Sequence, residues 1–264
     1  MKLYAIKIPD QPIDEDVFDK LLLLMEPQGR DRIKRFRLPE DALRSLVARL
    51  TMTWYLYIHG LLVNNELPTF GRKGKGKPIL STPKLNPPLE FNNTHESSFI
   101  LFTILRTNSP LGCIGIDIMS PVLNPLETQQ GISLQLTLKE KLSLSGKMIN
   151  DKERNLKLMK IWTLKESFTK AIGEGITFGL ERIEVLLNDK NEIEKVNIDG
   201  KNSRDIGWIY EQGQIEDNIW ALWYRGDDAE IDKDGNELKM QNVSWYQFEK
   251  PLLELVDKLG LDAE

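Results

Sequence analysis

The chain has 264 residues, 41% of them hydrophobic and 28% charged, with one cysteine and a formal net charge of −5. That length allows one large core or two modest ones, the acidic balance argues against a general nucleic-acid binder, and a lone cysteine excludes an internal disulfide. The opening ten residues lack the apolar stretch of a signal peptide, and the apolar run at 21–25 is far too short to span a bilayer, so the expected setting is cytoplasmic, away from membranes.

Residues 2–8 alternate and predict a strand. Asp14 is placed to cap a helix over 14–25, whose stripe is Phe18, Leu21, Leu22 and Met25. Residues 31–36 read as a basic helical turn with Arg32, Lys34 and Arg35. A long helix follows over 41–59, with Leu43, Leu46, Val47, Leu50, Trp54 and Tyr57 at helical spacing, ended by Gly60. Residues 70–93 read as loop and contain Gly71-Arg72-Lys73-Gly74-Lys75-Gly76-Lys77-Pro78. Strands are predicted over 99–105 and 113–118, and helices over 138–144 and 153–172. The stretch 121–135 is left as a crossover. Further strands are expected near 180–187, 193–198 and 219–224.

A boundary near residue 112 divides the chain into an N-terminal α+β half (1–112) carrying the basic loop and a C-terminal α+β half (113–226). The remainder, 227–264, reads as an acidic hairpin and an amphipathic helix formed by Trp245, Phe248, Leu252, Leu255, Val256 and Leu259. Glu230, Asp232, Asp234 and Gly235 imitate a calcium loop. Position one should be Asp, however, and position twelve is Gln241 where a bidentate Glu is required, so a hairpin turn is expected there. No internal sequence repeat is visible.

Four segments carry chemistry. In 162–173, Glu166 and Lys170 lie one helical turn apart beside Trp162, while Ile161, Leu164, Phe168, Ala171 and Ile172 take the other side. Alone, that is a surface ion pair contributing about 0.2–0.5 kcal/mol. In 112–118, the isoleucines alternate onto one face and Gly115 and Asp117 share the other. A carboxylate on a strand of β-branched residues is costly unless it is paired or binds a cation. The basic loop alternates cations with glycines, which let backbone approach a phosphate, although no Walker spacing is present. In Phe91-Asn92-Asn93-Thr94-His95, an imidazole beside a hydroxyl is suited to holding a phosphate.

The 112–118 strand followed by the 162–173 helix resembles the 4′-phosphopantetheinyl transferases, in which both motifs occur in this order at about this separation. Lys75-Gly76-Lys77-Pro78 is similar to the family's Gly-Lys-Pro coenzyme A element, and Phe91–His95 resembles its Phe-Asn-x-Ser-His, with Thr94 for Ser. The resemblance implies an α+β fold of two pseudo-twofold-related subdomains, each a small antiparallel sheet packed on a long helix, with coenzyme A in the cleft. It implies a monomer of the larger, two-halved type. Mg²⁺ would be held by Asp117 and Glu166, with Glu166 as base and Lys170 facing the leaving phosphate. Coenzyme A contacts are implied for Arg32, Arg72, Lys73, Lys75, Gly76, Lys77, Thr94 and His95, with Arg44 and Arg49 as additional cations.

Met119 stands where many members carry an acid, and a thioether is a poor magnesium ligand. Glu96, directly after His95, is the candidate third ligand. The implied partners are apo carrier domains, including that of aminoadipate reductase in lysine biosynthesis and acyl or peptidyl carrier proteins. Two alternatives are a coenzyme A-binding scaffold of the same fold without catalysis, and a basic-loop nucleic-acid binder with steeply salt-dependent affinity. Net charge disfavours the second.

Overall fold

The computed structural model describes every residue except 65, 147–148, 227–237 and 262–264. The acidic stretch holding Glu230, Asp232, Asp234 and Gly235 therefore lies outside the described residues.

The first half runs β1 (Lys2–Lys7), α1 (Glu15–Leu23), α2 (Pro27–Ile33), α3 (Pro39–Ile58), β2 (Thr69–Lys73), β3 (Lys77–Thr82), β4 (Leu89–Glu96) and β5 (Phe99–Arg106). The second runs β6 (Cys113–Met119), α4 (Pro125–Gly131), α5 (Leu138–Leu144), α6 (Asp151–Ile172), β7 (Ile183–Leu187), β8 (Ile193–Ile198), β9 (Lys201–Asn202), β10 (Ile209–Ile215) and β11 (Asn218–Arg225). β1 pairs antiparallel with β5, and β5 with β4. In the same way β6 pairs antiparallel with β11, and β11 with β10. Each half is thus a leading strand, three helices, a separate hairpin, and a final hairpin whose last strand returns beside the first. The repetition that the letters hide is present in the topology, and the α+β reading in two like halves holds.

Burial accounts for the long helices. α3 starts with Pro39 in its first turn and buries Leu46, Val47, Leu50 and Trp54 against the first sheet and α1. α6 is capped by Asn150, whose side chain accepts from Glu153 N, and ends at Gly173 in the left-handed conformation. Its Ile161, Leu164 and Phe168 pack with Trp208 and Trp223. A third cluster joins the sheets, with Leu3, Ala5 and Leu101 meeting Ile114, Ile116 and Leu222. β1 is consequently buried on both faces. A fully buried Leu or Ile among these contributes about 1.5–3 kcal/mol.

The tail completes the first half. β12 (Met240–Val243) pairs in parallel with β1, and α7 (Trp245–Leu259) lays Phe248, Leu252 and Leu255 into the first core. A Ser244–Gln247 capping box starts α7, and Trp54 Nε1 donates to Gln247 O at 3.1 Å.

The structure departs from the sequence reading at 70–93. That stretch is the β2–β3 hairpin followed by most of β4. β2 is largely exposed, so it has no apolar alternation to betray it. β4 is polar because its faces make specific bonds: Asn93 Nδ2 donates to Ala48 O on α3, and Asn92 and Thr94 reach β6. No helix among the described residues is long and apolar enough to cross a membrane.

Candidate active site

The site begins with a missing side chain. A Cβ on Gly115 would lie 2.2 Å from Ala171 N and 2.3 Å from Ser167 O, so β6 and α6 touch backbone to backbone there. Asp117, two residues along the same strand face, is thereby brought to the face of α6 that carries Glu166 and Lys170. Lys170 Nζ lies 2.6 Å from Asp117 Oδ1 and donates to Thr94 Oγ1 at 3.0 Å. Thr94 in turn donates to Asp117 Oδ1 at 3.2 Å. Thr94, His95, Glu96, Asp117, Met119, Trp162, Glu166 and Lys170 line one open cavity of about 420 Å³. Both halves contribute to it, through β4 and through β6 with α6.

The electrostatics follow from this crowding. Burial, then the charge of Asp117, push the Glu166 carboxyl above its usual range, with Lys170 opposing. His95 lines the same cavity and is exposed at its surface, with part of its solvation displaced by its neighbours. That desolvation, followed by the Lys170 and Arg44 cations, holds its pKa below the ordinary value and favours neutral imidazole. Arg44 itself pairs with Asp41 and donates to Ser97 O at 3.2 Å.

Asp117 and Glu166 offer two hard oxygen donors to one cavity, and a divalent cation would offset the burial and the repulsion that lift Glu166. The donor set fits Mg²⁺. Among the described residues no three of His, Cys, Asp and Glu stand close enough to hold a metal by themselves. Glu96 lines the cavity without completing such a set, and Met119, which also lines it, has only a thioether to offer.

The cations divide into two groups. Arg49 lies within electrostatic reach of Arg32 and Arg72: its pKa is lowered by burial, then by the charges of those two, with Glu26 opposing. Three guanidiniums within electrostatic reach of one another suit a multiply charged phosphate. Arg72 Nη1 also donates to Gly76 O at 2.9 Å, closing the turn in which Gly76 holds a φ of 123°. Lys73 and Lys75 are exposed. Lys73 Nζ lies 3.9 Å from Glu90, while Lys75 Nζ donates to Thr177 Oγ1 at 3.0 Å and lies 3.7 Å from Glu174.

Lys77 differs from the other cations of the loop. Its residue is 7% exposed, and its ammonium donates to Ala171 O at 2.9 Å and Ile114 O at 3.0 Å, with Glu90 at 3.1 Å. An ammonium has three donors. All three are engaged inside the protein, so none is left for a phosphate at the surface.

Two buried polar groups went unread in the sequence. Asn92 Oδ1 accepts from Ile116 N at 3.0 Å, serving the edge of β6 away from β11. Lys165 and Glu140 form a 2.8 Å ion pair with both side chains fully buried. Lys165 also donates to Gln135 O and Leu180 O, and Glu140 accepts from Thr137 N and Val185 N. This network pins α5 and the start of β7 to α6. One signal pointed to it: Lys165 falls on the apolar stripe of α6, between Ile161 and Phe168.

Two family models match the chain. Residues 113–222 match the 4′-phosphopantetheinyl transferase superfamily, and residues 11–104 match a model described as 4′-phosphopantetheinyl transferase, N-terminal. The chain is 31% identical over 229 residues to the 4′-phosphopantetheinyl transferase pptA of Paxillus involutus, covering 81% of this chain and 82% of that protein. It is 30% identical over 242 residues to the L-aminoadipate-semialdehyde dehydrogenase-phosphopantetheinyl transferase of Rattus norvegicus, covering 86% and 73%. The 4′-phosphopantetheinyl transferase Sfp of Bacillus subtilis (strain 168) is 26% identical over 196 residues, covering 73% and 80%.

Proposed function

The chain belongs to the 4′-phosphopantetheinyl transferase superfamily, and we propose that it moves the phosphopantetheine arm of coenzyme A onto a serine of an apo carrier domain. Adenosine 3′,5′-bisphosphate is the leaving product. The observation that carries this reading is the meeting of Asp117, Glu166, Lys170 and Thr94, from three elements and both halves, in one cavity.

In the reaction the serine oxygen bonds to the phosphorus bearing the pantetheine arm, while the bond from that phosphorus to the bridging oxygen breaks. Glu166 takes the serine proton, directly or through a water. Lys170 faces the departing phosphate and offsets its charge. Arg32, Arg49 and Arg72 hold the nucleotide end, with Thr94, neutral His95 and the loop around Gly76 along the phosphates. Fixing coenzyme A in this way makes attack by a docked carrier effectively intramolecular. Mg²⁺ held by Asp117 and Glu166 would supply charge neutralisation at the pyrophosphate.

The partner is the carrier domain of an aminoadipate reductase, in keeping with the rat relative's name, with acyl and peptidyl carriers as further substrates. Leu123, Leu134, Leu138 and Leu142, on the segment leading from β6 through α5, are 65–99% exposed and offer an apolar face for it. One copy supplies every residue of the site, which supports a monomer, and the single cysteine fits a cytoplasmic enzyme.

The test is mass spectrometry of an apo carrier domain incubated with this chain, coenzyme A and Mg²⁺. Addition of one phosphopantetheine is expected. Coenzyme A binding without added mass would instead establish a non-catalytic scaffold.

A further inference from the structure

We propose that Lys77 is a positioning residue, which bolts the last turn of α6 onto β6 and so sets the spacing of Asp117 from Glu166 and Lys170. The inference rests on the transferase reading above, and it assigns to this lysine a role other than holding the nucleotide.

The geometry starts at the edge of β6 that faces the first half. β11 pairs with β6 on one side only, and no ladder joins β6 to β4. Ile114 and Ile116, two residues apart, point their remaining backbone groups toward this open side. Ile116 N finds Asn92 Oδ1, and Ile114 O finds Lys77 Nζ at 3.0 Å. Side chains of the first half therefore replace the missing strand. The same ammonium donates to Ala171 O at 2.9 Å. That carbonyl belongs to the last turn of α6, where carbonyls lack intrahelical partners and the helix dipole favours a cation.

Two glycines make the arrangement feasible. Gly115 lets the backbones of β6 and α6 touch, and a Cβ on Gly173 would sit 3.0 Å from Lys77 Cβ, so the lysine stem passes over the helix cap. Glu90 at 3.1 Å neutralises the ammonium. One charge thus joins a carbonyl three residues before Asp117 to a carbonyl one residue after Lys170 and five after Glu166. It arrives from β3, directly behind the turn at Gly76 that Arg72 closes from β2. Breaking it frees the helix end from the strand while leaving Arg32, Arg49 and Arg72 in place.

The experiment compares the full chain with Lys77→Met, which keeps the apolar stem and removes the donors. Adenosine 3′,5′-bisphosphate affinity is measured by calorimetry, Mn²⁺ affinity by electron paramagnetic resonance, and turnover by mass spectrometry. The expected result is a nucleotide Kd within about threefold of wild type, with Mn²⁺ binding and kcat each falling about tenfold or more. Lys77→Arg, which retains donors, should recover part of the Mn²⁺ affinity. If Lys77→Met does not fold, the same titrations on Lys77→Arg decide, with a smaller but equally selective loss expected. A loss confined to the nucleotide, equal losses in both affinities, or no change in either would overturn the proposal. Wild-type chain that binds Mn²⁺ and nucleotide but transfers nothing would overturn the transferase reading instead.

Discussion

Lys170 on α6 and Asp117 on β6 form a 2.6 Å ion pair, and Thr94 from the other half bonds to both. The pair joins the two halves at the point where the chemistry is proposed to occur. It also fixes the carboxylate that Glu166 faces.

Asp117→Ala and Glu166→Ala should each lower phosphopantetheine transfer by on the order of 10³-fold or more, because each removes a carboxylate that would hold Mg²⁺ and the second also removes the base. Circular dichroism should remain native. Near-normal turnover of either folded variant at saturating Mg²⁺ would remove that residue from the mechanism.

Glu166 also carries a stability cost. Its folded-state pKa is raised by burial and then by Asp117. As pH climbs from the ordinary carboxylate value to the raised one, the unfolded chain releases a proton that the native state retains. Stability therefore falls through that window and the penalty is complete above it. Glu166→Gln should raise the Tm of the ligand-free protein by about 2–4 °C per kcal/mol of penalty removed when measured near pH 7. Near pH 4 the gain should shrink, since Glu166 is then largely protonated in both states. An equal gain at both pH values in scanning calorimetry would refute the ionisation argument.

Gly115→Ala forces a methyl into the Ala171 and Ser167 backbone, which a change of side-chain rotamer does not relieve. Urea unfolding should report a loss of about 1–3 kcal/mol, and activity should fall beyond what instability explains as Asp117 moves from α6.

Lys165→Met leaves Glu140 buried without its cation. The expected loss is about 3–5 kcal/mol. Glu140→Gln should cost less, because the amide oxygen still accepts one of the two backbone N–H groups. Equal costs for the two variants by denaturant titration would place the energy elsewhere.

Glu96→Gln should raise the Mg²⁺ concentration for half-maximal activity several-fold, with little change in coenzyme A affinity at saturating metal, if its carboxylate serves the metal through water. Met119→Glu should then partly restore that variant. An unchanged Mg²⁺ dependence would leave Asp117 and Glu166 as the protein ligands.

The elements whose faces differ along a single periodicity were legible in the sequence. The stripe of Ile161, Leu164 and Phe168 defined α6 and put Glu166 and Lys170 together on its other side, and strand alternation put Gly115 with Asp117. Those relations depend only on 3.6- and 2-residue repeats, which the letters carry. Tertiary structure decided the rest. The β2–β3 hairpin is largely exposed and β4 bonds polar groups on other elements, so 70–93 carries little apolar alternation and reads as loop. Arg49 is not distinguished from other helix cations until α2 and the hairpin bring Arg32 and Arg72 beside it. Lys73, Lys75 and Lys77 look alike in sequence, yet only Lys77 meets Ala171 O, Ile114 O and Glu90 in the interior. Whether a cation faces solvent or a buried carbonyl is set by what a distant segment places opposite it, and no local pattern encodes that.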